Sequence, residues 1–424
     1  MTSAVPAAEP VDGAGGAGFE PLAPLLELRE GVPPLVATAP ALGATVAAMA
    51  AGSGPVAIDA ERASGYRYGQ RAYLVQLRRA GAGTALVDPV HCPDLSELGR
   101  VIADAEWVLH AAGQDLPCLA ELGLRPRVLF DTELAGRLAG FPRVSLGAMV
   151  EVVLGHRLEK AHSAGDWSQR PLPEPWLRYA ALDVEVLVEL RDALEVELRR
   201  QGKLGYAREE FAAVAAAPPP RPRAEPWRRT AGIHRLRNRR QLAAVRELWQ
   251  ARDALARDSD VAPGRVLPDT AVIAAALAAP ADAAALRELP LFRGRGTRRH
   301  TATWLAALQR AGSLADSALP PSASGTRDGR PPGTNRWADR DPLAAARLAA
   351  VRGAVAALAE LHRIPAENLL PPEAVRQLAW APPTSLDPTT VAAALLGSGA
   401  RDWQVDLTAA NIAAALTHPD PGEV

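Results

Sequence analysis

PVAIDAE, residues 55–61, is an apolar run that ends in two acids, and its reading decides the fold of this chain. Val56, Ala57 and Ile58 follow a proline and form a run of the length and branching expected of a buried strand. Alternate side chains of a strand share a face, so Asp59 and Glu61 project together from its end. Working outward, RAYLVQLRRAG (71–81) alternates Tyr73, Val75 and Leu77 with polar neighbours, and TALVDP (84–89) follows a glycine-containing turn. With the first run these predict a three-stranded antiparallel meander. LSELGRVIADAE (95–106) has helical periodicity, WVLHA (107–111) returns as a strand, and a helix from about Asp115 to Glu121 precedes a short strand, RVLFDT (127–132). Helices are predicted over Thr132–Ala139, Ser145–Leu154 and Glu174–Arg200. A meander followed by strand–helix alternation implies a mixed sheet with helices on its faces.

The α/β pattern occupies residues 21–215, after an Ala/Gly/Pro-rich segment (1–20) whose composition predicts disorder. APPPRPRAEPWRR (217–229) marks a linker at 216–232, because its prolines exclude helix or strand interiors. Residues 233–314 then read as all-helical: RLRNRRQLAAVRELWQARDALARDSD is one long amphipathic helix, Asp269 is a candidate cap for the next, and TRRHTATWLAALQRA closes the unit. A second linker (315–341) contains PPSASGTRDGRPPGTNRW, a second helical unit spans 342–418, and 419–424 form a tail. The two helical units share an outline and read as a diverged repeat.

The 424 residues exceed one ordinary core, and the net charge of −1 provides no global polycation. Cys92 and Cys118 are too few for a disulfide framework and read as small core residues, which points to a reducing compartment. The amino terminus lacks the basic and apolar regions of a secretion signal. The apolar run TAVIAAALAAPADAAAL is interrupted by Pro280 and Asp282. The expectation is therefore a cytoplasmic monomer with no membrane partner.

Three further stretches carry chemistry. Asp115 in WVLHAAGQDLPCL follows a strand; with Pro117 in the next turn it reads as a helix N-cap or as a ligand. Tyr179 and Asp183 in YAALD are four apart, on one face of a helix. Singly, each is as easily a solvated acid or a core tyrosine. Together, four carboxylates suit hard cations such as Mg²⁺ or Mn²⁺. Two such ions, roughly 3.5–4 Å apart, stabilise the attacking and leaving oxygens of a phosphodiester displacement. No phosphate-gripping glycine loop or Ser/His/Asp set competes with that reading.

On these residues the chain resembles the DEDD superfamily of 3′–5′ exonucleases, in its tyrosine branch, and within that the ribonuclease D family. VAIDAERASGYRY, WVLHAAGQDLPCL and YAALDVEVL match the three exonuclease motifs, and FDTELAGRLAG (130–140) and DWSQRPLPEPWLRYAALDV (166–184) are similar to the family over longer stretches. The resemblance implies that Asp59, Glu61, Asp115 and Asp183 bind two divalent metal ions, Mg²⁺ or Mn²⁺, and that Tyr179 orients the attacking water. It implies an α/β ribonuclease-H-like exonuclease domain followed by two all-α HRDC-type domains, of the kind shared by RecQ-type helicases. One departure is His162, where the family often has glutamine.

The implied activity is metal-dependent trimming of RNA 3′ ends, with tRNA precursors and other small structured RNAs as substrates. A DNA 3′–5′ exonuclease with the same acids, and a catalytically silent nucleic-acid-binding scaffold, are the alternatives. Lys160, Trp167 and Arg170 either line the RNA path, with Trp167 as a stacking face, or pack. His110 is a structural histidine or a substrate contact, and Asp131 is a helix cap. Arg235, Arg239, Arg298 and Arg299, within arginine-rich stretches of the first helical unit, are candidate phosphate contacts.

Overall fold

A computed structural model describes residues 23–159, 165–219, 222–322, 331 and 333–419. The segment 1–20, Lys160, His162 and the tail beyond 419 lie outside the described residues. Six strands form one mixed sheet in the order β1-β4-β3-β2-β5-β6. They are β1 (Leu35–Val36), β2 (Ser53–Arg62), β3 (Ala72–Ala80), β4 (Gly83–Val87), β5 (Glu106–Leu109) and β6 (Val128–Asp131). The meander β2-β3-β4 is antiparallel, whereas β5 pairs parallel with β2, β6 with β5, and β1 with β4. The strand β1 and the helix after it lie outside the predicted elements: two residues are too few to show a period, and APALGATVAAMAA (39–51) is mostly alanine and has no distinct polar face.

Helices α1 (Ala39–Ala51), α2 (Ser96–Val101), α3 (Leu116–Glu121), α4 (Thr132–Ala139), α5 (Leu146–Met149), α6 (Glu174–Glu185), α7 (Leu187–Arg200) and α8 (Leu204–Ala216) cover the sheet. The predicted continuous helix over 174–200 is interrupted at Val186, whose φ of −121° leaves the helical region. Neither proline nor glycine signals the break. Instead, α6 packs on β2, β3 and β4 while α7 packs on β5 and α4, and one straight helix cannot follow both surfaces. The break sits beside buried Glu185, whose carboxylate is paired with Arg78 at 3.3 Å.

The first helical unit contains α9 (Arg239–Ser259), α10 (Pro263–Val266), α11 (Asp269–Ala278), α12 (Ala283–Glu288), α13 (Arg295–Arg298) and α14 (Thr301–Ser313). Its core is separate from that of the sheet and takes in Trp227 and Leu319, so the packed unit reaches past 233–314 at both ends. Asp269 is not a cap. Pro268 precedes the helix, and the Asp269 carboxylate instead accepts from buried Arg252 at 2.5 Å and from the Ala231 N–H at 2.8 Å. The loop after β2 docks on this unit: the Tyr68 hydroxyl donates to Asp253 at 3.1 Å, and Arg265 donates to the Gly65 carbonyl at 2.8 Å.

The second unit holds α15 (Trp337–Arg340), α16 (Pro342–His362), α17 (Ala366–Leu369), α18 (Pro372–Trp380), α19 (Pro388–Gly397) and α20 (Asp402–Thr417). Unlike the first, it shares one apolar core with the exonuclease sheet. Trp403 stacks on Tyr206 at 4.8 Å and donates to Glu210 at 3.1 Å. Lys203 donates to the Leu138 and Arg363 carbonyls, across the same seam. By length and composition α16 is the one helix, among the described residues, apolar enough to cross a membrane. Its Leu348, Val351 and Val355 belong to the shared core.

Candidate active site

The carboxylates converge because three elements meet at the end of the interior strand β2. On β2, Asp59 lies opposite Gln76 and Glu61 opposite Leu74 of β3, all on the face that α6 covers. Asp183, on α6, completes a trio: Asp59, Glu61 and Asp183 each offer an oxygen, and these lie within 4.8 Å of one another. One helical turn earlier on α6, the Tyr179 hydroxyl is hydrogen-bonded to the Asp183 carboxylate. Asp115 stands outside the trio. It occupies the N-cap position of α3 yet makes no side-chain capping bond, and its carboxylate faces Arg62 at 3.3 Å.

Asp131 fixes the segment that carries Asp115. It caps α4 through the N–H groups of Glu133 and Leu134, and it also accepts from Ala111 (3.1 Å) and Ala112 (2.8 Å). Those bonds hold Ala111 at φ 60°, a left-handed conformation that costs a non-glycine residue about 1–2 kcal/mol. Asp131 is thus a cap, as the sequence suggested.

Burial raises the pKa of all four acids. For Glu61 desolvation comes first and the charges of Asp59, Asp183 and Asp115 follow, pushing it up to about 10. Asp115 is pushed up to about 8 by desolvation and then by Asp59, with Arg62 opposing. Asp59 and Asp183 are raised chiefly by desolvation, and Asp183 is held down in part by Tyr179. Desolvation and the charge of Asp183 raise Tyr179, so it stays a phenol. Desolvation lowers His110 to about 4, so it is neutral at pH 7, with Nδ1 2.9 Å from the Thr132 hydroxyl.

Such a donor set fits a divalent cation: it is all oxygen, crowded with like charge, and among the described residues only Arg62 forms an ion pair with any of the four. Gln76 adds a second sign. It is fully buried beside Asp59, and neither atom of its amide has a partner among the described residues. A buried amide left unpaired costs about 1–3 kcal/mol, so the cleft is built for an occupant with polar atoms.

The raised values fix the sign of a pH dependence. In chelator-treated protein the stability contributed by these acids is fully present below pH ~4, their ordinary range. It is lost as pH rises through about 8 for Asp115 and about 10 for Glu61. The melting temperature in EDTA should therefore fall between pH 5 and 9, and saturating Mn²⁺ should flatten that fall. An equal slope with and without Mn²⁺ would contradict the cluster's role.

Of the other sequence candidates, Trp167 is fully buried, with its ring 5.0 Å from Trp176 and 6.4 Å from Tyr179. It offers no stacking face to a base. Packing is its role, and it braces the tyrosine. Arg170 is likewise committed: it binds both oxygens of the fully buried Asp88, at 2.6 and 2.7 Å, and the carbonyls of Tyr73 and Trp167. The stretch DWSQRPL (166–172) thus ties α6 to β3. Arg170→Ala would leave Asp88 with only the Val90 N–H and His91 as partners and should lower unfolding stability by about 1–3 kcal/mol, read by denaturant titration. Arg239 donates to the Leu319 and Pro320 carbonyls and ties the end of the first helical unit to its start. Arg235, Arg298 and Arg299 are exposed on that unit.

Sequence reasoning missed Arg62 and Gln76. The signal for the first was its place directly after Glu61. For the second it was a polar residue in the middle of the apolar strand YLVQL.

Comparison with known proteins agrees with this architecture. Residues 36–199 match the family described as 3′-5′ exonuclease, residues 241–308 the HRDC domain, and residues 330–416 the 3′ to 5′ exonuclease C-terminal domain. The second helical unit thus matches a family of its own. Ribonuclease D of Gluconacetobacter diazotrophicus is 35% identical over 284 residues, 65% of this chain and 71% of that protein. The crystal structure of a protein from Bifidobacterium adolescentis superposes with a TM-score of 0.85 at 39% identity, covering 93% of this chain and all of that one. That of Escherichia coli RNase D, described as an exoribonuclease involved in structured RNA processing, superposes with a TM-score of 0.64 at 30% identity, covering 82% and 89%.

Proposed function

The chain belongs to the ribonuclease D family and is a 3′–5′ exoribonuclease, and on that premise we propose that it trims the single-stranded 3′ ends of tRNA precursors and other small structured RNAs. The observation that carries the proposal is the trio of half-buried carboxylates whose oxygens lie within 4.8 Å of one another, with Tyr179 bonded to one of them. Two Mg²⁺ or Mn²⁺ ions held by Asp59, Glu61, Asp115 and Asp183 would supply Lewis acidity toward the scissile phosphate and acidify a water.

The protein's own groups set the rest. Tyr179 spends its proton on Asp183, which leaves the phenol oxygen to accept from the attacking water; as a neutral phenol it orients that water rather than deprotonating it. His110, neutral and bound to Thr132, stiffens the strand end beside the cleft. Arg235, Arg298 and Arg299 offer phosphate a salt-dependent grip that reads no sequence. Two buried free thiols, Cys92 and Cys118, fit a cytoplasmic setting, and the protein acts there as a monomer.

The test is a 3′-extended tRNA and a DNA oligomer of matched sequence, each incubated with purified protein in Mg²⁺, Mn²⁺ or EDTA. RNA should shorten from its 3′ end with release of 5′-mononucleotides, and EDTA should stop the reaction. Faster loss of the DNA would make the chain a DNA exonuclease, and binding without cleavage would make it a scaffold.

A further inference from the structure

Among the described residues Arg62 is the single cation that forms an ion pair with the four acids, and it reaches the one that stands apart. Its Nη2 lies 3.3 Å from Oδ1 of Asp115, and its Nη1 donates to the Gln114 carbonyl at 3.0 Å. Both anchors belong to the turn that enters α3. Strand alternation would turn Arg62 away from the face of Glu61, but the β2–β3 register shifts between these two residues, and such irregularities re-aim a side chain. Asp115 makes no capping bond, so the guanidinium is the polar group that sets its carboxylate. The site is therefore asymmetric: Asp59, Glu61 and Asp183 already converge, whereas the oxygen of Asp115 is shared with a positive charge.

We propose that Arg62 is a positioning residue that holds Asp115 and competes with a divalent ion for it, so that one metal position of the cleft is tight and the other weak until an RNA phosphate takes over the guanidinium. The proposal rests on the reading of Asp115 as a metal ligand. A cation displaced from a carboxylate needs another anion, and phosphate accepts the guanidinium fork as well as a carboxylate does. Weak loading at Asp115 would keep the cleft from becoming fully competent until substrate is present, and the coupling is reciprocal: what phosphate does for the metal, the metal does for phosphate.

The experiment is Mn²⁺ titration of the full-length protein, followed by the electron paramagnetic resonance of free Mn²⁺, without RNA. Wild type should show one tight and one weak binding class. Arg62→Gln should tighten the weak class by about tenfold, the scale of one half-buried charge pair, and Arg62→Lys should restore it toward wild type. Asp115→Asn should remove it. In steady-state assays Arg62→Gln should raise KM for RNA more than it lowers kcat. General damage to the fold would weaken Mn²⁺ binding, so a tighter weak class is a result that a merely structural role does not give. If Arg62→Gln leaves that class unchanged or weaker while Asp115→Asn removes it, the latch is wrong and the ligand set stands. If Asp115→Asn leaves both classes intact, the ligand assignment falls and the latch with it.

Discussion

Asp59→Asn is expected to lower RNA hydrolysis by about 10³–10⁵-fold, equivalent to ~4–7 kcal/mol of transition-state stabilisation, while leaving RNA binding intact. Asp59 is the electrostatic centre of the cleft, since its charge acts on Glu61, Asp115, Tyr179 and Asp183 alike. Asparagine keeps the shape and one oxygen but removes the charge that binds a cation. The same change relieves like-charge repulsion among buried acids, so in EDTA at pH 8 the variant should melt at or above the wild-type temperature. Paired assays of product release and thermal unfolding check both halves. Activity within a few-fold of wild type would remove Asp59 from the site, and a large loss of stability would recast it as a structural acid.

The second large effect is at Tyr179. Tyr179→Phe should reduce kcat by about 10²-fold, the lower end of what a positioned hydroxyl contributes to proton handling. KM for RNA should move little, because the ring that packs at 6.4 Å from Trp167 is retained. Loss of the hydroxyl also removes the hydrogen bond that holds down the Asp183 pKa, so in metal-free protein that acid should be raised further. Single-turnover rates across pH, measured beside equilibrium RNA binding, separate these effects. A rise in KM with unchanged kcat would instead make the tyrosine a binding residue.

Some of this site is legible in the chain because it depends on short periods. Asp59 and Glu61 share a face by the two-residue repeat of a strand, and Tyr179 and Asp183 by the turn of a helix, so spacing alone proposes each pair. Asp131 reads as a cap from its position just before α4, and it is one. Sequence cannot choose between RNA contact and packing for Trp167 and Arg170, because burial is decided by distant neighbours. Trp167 is covered by residues of α6, and Arg170 is taken by Asp88, 82 residues away. Arg239 reads as a free phosphate contact for the same reason, since its acceptors lie 80 residues downstream.

The mixed sheet, the order of its main elements, the acids that face one another and the all-helical character of the carboxy-terminal half are all written in the amino-acid sequence. These rest on local periodicity, which each segment carries within itself. Three-dimensional packing was needed to part α6 from α7 at Val186 and to merge the second helical unit with the exonuclease core while the first keeps its own. It also set Asp115 against Arg62 rather than letting it cap α3. Each of those outcomes is a competition between partners far apart in the chain, for one surface or one charge. Such competitions are settled by packing and by desolvation, which no stretch of sequence contains alone.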